Sequence, residues 1–416
     1  GAYRAAQFIA ARFEEYGLQP GGSAHSYFDE TELAMVWPSE QPLLAVVDKA
    51  GREALRFRYR RDFGFLTRGH GGPGDAEGPL TFVAFDKARF SYSYESLTGL
   101  DLRGQIVMYA EDNAPPEFPI EALIRGARGL LVVSDRVQSE QVLVGDRADY
   151  LRKPAIPAFV ISSEAADAIL ARAGMSLKAL LARPRKEAQP WLAIPTEVKL
   201  KMSLSLGPVE EHKIRNVIGV LPGKDVILDE QAVIVAAHYD GPGADPDGSL
   251  YPGADDNASG VAVLLEIARL WHEQGFEPRR TIVFAAWDGA FVNESGAELF
   301  WQGKNVLSLL TTVAVLELDA LGHEGSSLAV RGNPRVRELV YRSAHRLGIE
   351  VEEATTTLHP YQASLENQLP MVLLTRSGKR PSLEADTVGQ IVVDKLDEAV
   401  KVVNLTLINL AREAAY

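Results

Sequence analysis

AVIVAAHYDGPGADPDGSLYPGADDNASGVAVLLEIARL, residues 232–270, decides how the rest of the chain is read. Residues 232–237 form an unbroken apolar run of strand length, as in a strand buried on both faces. Residues 258–275 repeat apolar side chains at helical spacing and stop at Gly275. Outward from this unit the same alternation recurs. TIVFAAW (281–287), TTVAVLELD (311–319) and MVLLT (371–375) read as buried strands, and residues 334–348 and 394–414 read as helices. The expected fold is therefore α/β, with a mostly parallel mixed sheet sandwiched by helices.

In open α/β sheets, sites form past the carboxyl ends of the strands. His238, Tyr239 and Asp240 follow the first strand, Asp255, Asp256 and Asn257 sit at the mouth of the helix, and Asp319 ends TTVAVLELD. A neutral imidazole converging with carboxylates suits a borderline divalent ion such as zinc. Asp240 lies two residues past His238. In an extended chain both side chains face the same way, and Asp240 is placed to accept the second ring N–H of the histidine.

The remaining chain bounds the problem. Its 416 residues are 46% hydrophobic and 24% charged, enough for more than one packed unit. Residues 3–17 read as a helix. From about 40 to 190 the texture changes to short β-like runs (PLLAVV, PLTFVAF, GQIVMYA, GLLVVSD, IPAFVIS) with interspersed helical patches, an α+β module. RGHGGPGDAEG (68–78) reads as a flexible Gly-rich loop, and ARPRKEAQPWLAIP (182–195) as a linker. A net charge of −13 argues against nucleic acid as a partner. The absence of cysteine excludes disulfides, thiol catalysis and cysteine-ligated metal. No window reaches the roughly 20 apolar residues of a membrane span. The first residue, Gly1, already lies in a helical pattern, which suggests a trimmed leader and an extracytoplasmic protein.

NVIGVLPGKD, AAHYDG, YPGADDNASGVAVLLEIARL, RTIVFAAWDG and LELDALG together carry a family resemblance. The chain resembles the co-catalytic zinc exopeptidases of clan MH, which include bacterial leucyl aminopeptidases, glutamate carboxypeptidases and glutaminyl cyclases. LRGQIVMYAED, ALIRGARGLLVVSD and IPAFVISSEAADAIL resemble the protease-associated domain often inserted in that family. This implies an N-terminal peptidase helix over 1–38, an inserted α+β protease-associated domain over 39–192 and a peptidase-like domain over 193–416. It also implies a peptide or protein substrate and two zinc ions bridged by one aspartate. By position, His238, the bridging Asp256 and Asp319 match the ligands of the first site.

The family pattern then runs D-G-E-E, four residues, G-S. Here DGAFVNESGAELF keeps Asp288, Gly289 and Gly296, but Ala290 and Phe291 fall on the glutamates. A gapped alternative places Asn293 and Glu294 there, which makes Glu294 a stand-in base or ligand. Either way the general-base position holds Ala or Asn, neither of which accepts a proton near neutral pH. Aligned on QLP (368–370), the late histidine becomes Tyr361, with His359 two positions away as a substitute ligand. PSLEADT lacks the histidine of the family's closing H-x-x-x-D-T segment but keeps Asp386 and Thr387. Glu317, two residues before Asp319, is a further candidate base, and His323 reads as a surface residue. The expectation is a zinc-dependent aminopeptidase-like enzyme with one metal site intact and the second site lost. Its alternative is a catalytically silent, peptide-binding relative of the transferrin-receptor type.

Overall fold

A computed structural model describes residues 1–66, 71–86, 97–134, 142–143, 155–185, 189–292, 295–302, 310–355 and 369–413. The chain divides into two compact units. The first comprises Gly1–Leu33, His212–Ala244 and Ser249–Tyr416; the second comprises Ala34–Glu211 and Asp245–Gly248. The boundaries expected at 38/39 and 192/193 thus fall inside the second unit.

In the first unit, four strands lie side by side in parallel: Met371–Arg376, Thr311–Leu318, Gln231–His238 and Thr281–Trp287. Leu328–Gly332 flanks them antiparallel on one side and Glu210–Leu221 antiparallel on the other. The apolar runs are explained by two-sided burial. Along Gln231–His238, Val233, Val235 and Ala237 join a core with helices Ala2–Glu15, Gly260–Glu273, Pro334–Leu347 and Val393–Arg412. Ala232, Ile234 and Ala236 join the opposite core, with Ala297 and Phe300 of helix Ser295–Gln302. Alternate side chains of an extended strand face opposite sides of a sheet, so a strand covered on both must be apolar throughout. This is the mixed α/β sandwich the sequence implied. No helix among the described residues is long and apolar enough to cross a membrane.

The second unit holds its own mixed sheet and two cores of its own. Two sequence expectations are corrected here. The stretch read as a linker becomes, from Trp191 on, the strand Trp191–Leu204, whose buried and exposed residues alternate and which pairs with Gly74–Phe85. Its Pro, Lys and Glu residues suggested a tether, but period-2 alternation governs burial in a sheet exposed on one side. The Gly-rich segment likewise enters a strand at Gly74, so residues 74–78 are sheet, not loop.

Candidate metal centre

Parallel strands end together, and this brings the predicted residues to one place. His238 terminates its strand in register with Trp287, and Asp319 directly follows strand Thr311–Leu318. Asp256 comes from the irregular turn Ala254–Ser259 at the mouth of helix Gly260–Glu273. Asn257 ties that mouth to the neighbouring strand end. Its amide donates to the Leu318 carbonyl at 2.7 Å, and its oxygen accepts from the Gly260 and Ala320 amides at 3.0 and 3.1 Å. The Asp386 carboxylate accepts the amides of Asp255 and Asp256 at 2.6 and 2.9 Å, fixing the turn from the other side.

The result is a compact donor set. His238 Nε2 lies 3.2 Å from Asp256 Oδ1 and 3.8 Å from Asp319 Oδ1. One ligand atom from each residue lies within 4.8 Å of the others. Tetrahedral zinc bonded at about 2.0–2.2 Å needs donors at this kind of separation, so the three residues fit one such ion with a coordination position to spare. Burial alone would push the His238 pKa down. Asp240, Asp256 and Asp319 outweigh that and raise it well above the usual imidazole value. Asp319 would likewise be raised by burial, but Arg380 and His238 hold it well below the usual carboxylate range.

Asp240 does not sit quite as the sequence implied. Its main-chain carbonyl lies 3.2 Å from His238 Nδ1, whereas its carboxylate is 3.6 Å away. That carboxylate accepts the backbone amides of Ala290 and Phe291 at 3.1 and 3.2 Å. The turn beyond strand Thr281–Trp287 is therefore held in place, but the side chains it offers at 290 and 291 are apolar. The Phe291 ring meets the His238 ring edge-on, with centroids 5.9 Å apart. Glu294, His359 and Tyr361 lie outside the described residues.

Three further residues are placed differently from their sequence readings, or were missed. His323, expected at the surface, is 2% exposed, because its Nδ1 pairs with Asp255 Oδ2 at 2.8 Å. Asp255 also accepts the Gly322 amide at 2.7 Å, closing the loop after Asp319 onto the metal turn. Glu317 is buried and accepts a hydrogen bond from Trp287 Nε1 at 3.2 Å. Arg380 was not singled out at all, yet its Nη2 lies 2.7 Å from Asp319 Oδ2. Its only sequence signal is its place just beyond the carboxyl end of strand Met371–Arg376.

Residues 216–368 match the profile of peptidase family M28. Among curated proteins, the chain is 25% identical over 321 residues to a probable glutamate carboxypeptidase of Arabidopsis thaliana, covering 67% of this chain and 44% of that protein. It is 30% identical over 173 residues to transferrin receptor protein 2 of Homo sapiens, covering 40% and 20%. The chain thus spans less than half the length of these relatives. Among solved structures, an aminopeptidase from Aneurinibacillus sp. strain AM-1 has a TM-score of 0.66 at 18% identity, covering 99% of this chain and 89% of that one. A zinc aminopeptidase from Bacillus subtilis has a TM-score of 0.58 at 17% identity, with the same coverage. At these identities the solved structures establish a shared fold.

Proposed function

We propose that this chain, which belongs to peptidase family M28 through residues 216–368, is a slow one-zinc exopeptidase of the aminopeptidase type, cleaving N-terminal bonds of peptides. The observation that carries this reading is the convergence of His238, Asp256 and Asp319 beside a turn that offers no donor at 290 or 291. A bound zinc would polarise a peptide carbonyl and lower the pKa of water in its open position. The chain's own groups do the rest. The Asp240 carbonyl orients the His238 ring, the Asp386 carboxylate holds the Asp256 turn, and the Phe291 ring packs against His238 where the resemblance places a glutamate. A positioned carboxylate base contributes ~10²–10⁴-fold to such reactions, so its loss predicts turnover lower by about that factor. Glu294 is the carboxylate in the same turn segment that remains as a stand-in. The second unit is read as the protease-associated domain.

The second reading, a silent peptide-binding relative, is favoured by the apolar Phe291 ring against His238. Elemental analysis together with hydrolysis of aminoacyl-nitroanilides separates the two. The proposal expects one zinc per chain and slow turnover that disappears in His238→Ala. One zinc with no turnover above that variant would establish the silent reading instead.

A further inference from the structure

Arg380 is the residue at the centre that the family resemblance does not account for. It lies in the loop beyond strand Met371–Arg376, and one guanidinium nitrogen, Nη2, donates to Asp319 Oδ2 at 2.7 Å and to Thr375 Oγ1 at 3.1 Å. Thr375 is buried in the sheet, so the contact is anchored at a rigid point. The two oxygens of Asp319 are thereby divided. Oδ1 faces His238 Nε2, while Oδ2 faces the arginine. Both side chains are largely out of water, Arg380 at 33% exposed and Asp319 at 21%. A guanidinium keeps its charge in such a place and gives it up to no base. Its position is maintained by the carboxylates around it, and the charges of Asp256 and Asp255 act on it as well as that of Asp319.

A carboxylate shared in this way cannot serve two cations freely. A divalent ion among His238, Asp256 and Asp319 would lie one carboxylate away from a fixed positive charge. Like charges across so short a gap, in a partly desolvated site, repel each other. Nor can Asp319 turn its second oxygen to the ion without giving up its pairing with Arg380. The arginine therefore supplies from within the chain part of the positive charge that an acidic metal centre otherwise takes from solution.

We propose that Arg380 is a built-in cation of this centre: it positions Asp319, competes with divalent metal for that carboxylate, and weakens the site's hold on its ion. This rests on the one-ion reading above and goes beyond it, because it assigns the strength of metal binding to a particular side chain.

The test is a cobalt titration of the metal-free full chain, followed by calorimetry and by the visible absorption of bound cobalt. It compares wild type, Arg380→Gln, Arg380→Lys and His238→Ala. Removing the charge should tighten cobalt binding by about ten- to a hundredfold, while Arg380→Lys should stay close to wild type. A merely structural arginine would give the opposite sign, since losing a support loosens a site. Should Arg380→Gln be unstable without metal, cobalt must raise its Tm by more than it raises that of wild type; an equal or smaller rise overturns the proposal. Cobalt bound by wild type and no more tightly by a folded Arg380→Gln removes the role of Arg380 and leaves the one-ion centre standing. Two cobalt ions in wild type overturn the one-ion reading on which the proposal rests. Cobalt bound by none of the proteins overturns the one-ion centre itself, and the role of Arg380 with it.

Discussion

Asp386 touches no proposed ligand atom, yet it accepts the amides of Asp255 and Asp256 and so fixes where the Asp256 carboxylate points. Outer partners of this kind typically govern metal affinity by about 10–100-fold. Asp386→Ala should therefore weaken zinc binding by that order, as measured with a competing chelator, while the far-UV circular dichroism stays unchanged. Asp288 makes a pH prediction. Burial and then the nearby Asp240 charge push its carboxyl up to about 6, although it accepts the Arg215 and Gly289 amides. An acid raised in the folded state adds stability while protonated, below its unfolded value of about 4, and loses that contribution as pH rises through about 6. Over that window this group should remove about 2–3 kcal/mol. Urea unfolding at a series of pH values should show the decline in wild type and a flatter profile in Asp288→Asn.

The turn between strand Thr281–Trp287 and helix Ser295–Gln302 is held by its backbone and by Asn216, independently of the side chains at 290 and 291. Gly289 adopts φ +74°, a conformation side chains rarely accept. A Cβ on Gly296 would overlap the Asp288 carbonyl and the Asn216 side-chain oxygen. Asn216 closes the junction, its amide donating to the Gly296 carbonyl at 2.8 Å and its oxygen accepting the Asp288 amide at 3.2 Å. Asp288, Gly289 and Gly296 are therefore required by the strand-to-helix junction whatever stands at 290 and 291. Gly296→Ala should destabilise by about 1–3 kcal/mol through overpacking, read from the urea midpoint. Conversely, the Ala290 and Phe291 amides are already held by Asp240, so new side chains there start from a fixed backbone. The double variant Ala290→Glu, Phe291→Glu should raise aminoacyl-nitroanilide turnover by at least about tenfold, a fraction of what a positioned base supplies.

At the scale of the whole molecule, the two units carry separate hydrophobic cores. All three candidate ligands belong to the first unit. A ligand that binds only the folded form raises stability by about 2.7 kcal/mol at a hundredfold excess over its Kd. Scanning calorimetry should therefore resolve two transitions, with zinc shifting only the one that belongs to the first unit. His238→Ala should abolish that shift and leave the other transition in place. A shift of both transitions by zinc would show a binding site in the second unit as well.

By itself, the sequence determined the α/β architecture of the first unit and the convergence of His238, Asp256 and Asp319. Both follow from short-range regularities: apolar runs mark strands covered on two faces, and parallel strands present their last residues on one edge. That Ala290 and Phe291 stand where carboxylates would be expected came only from the family resemblance, which no local pattern supplies. What only the tertiary structure decided comes from contacts between segments distant in the chain. The strand Trp191–Leu204 belongs to the second unit because it pairs with Gly74–Phe85, not because of its composition. His323 is buried where its Nδ1 meets the carboxylate of Asp255, 68 residues away. Arg380 faces Asp319, 61 residues earlier, because two strands that are neighbours in the sheet end side by side. Local periodicity encodes which elements form and where each one ends. The partners a charged side chain finds at that end depend on how the elements pack, and no local pattern records that.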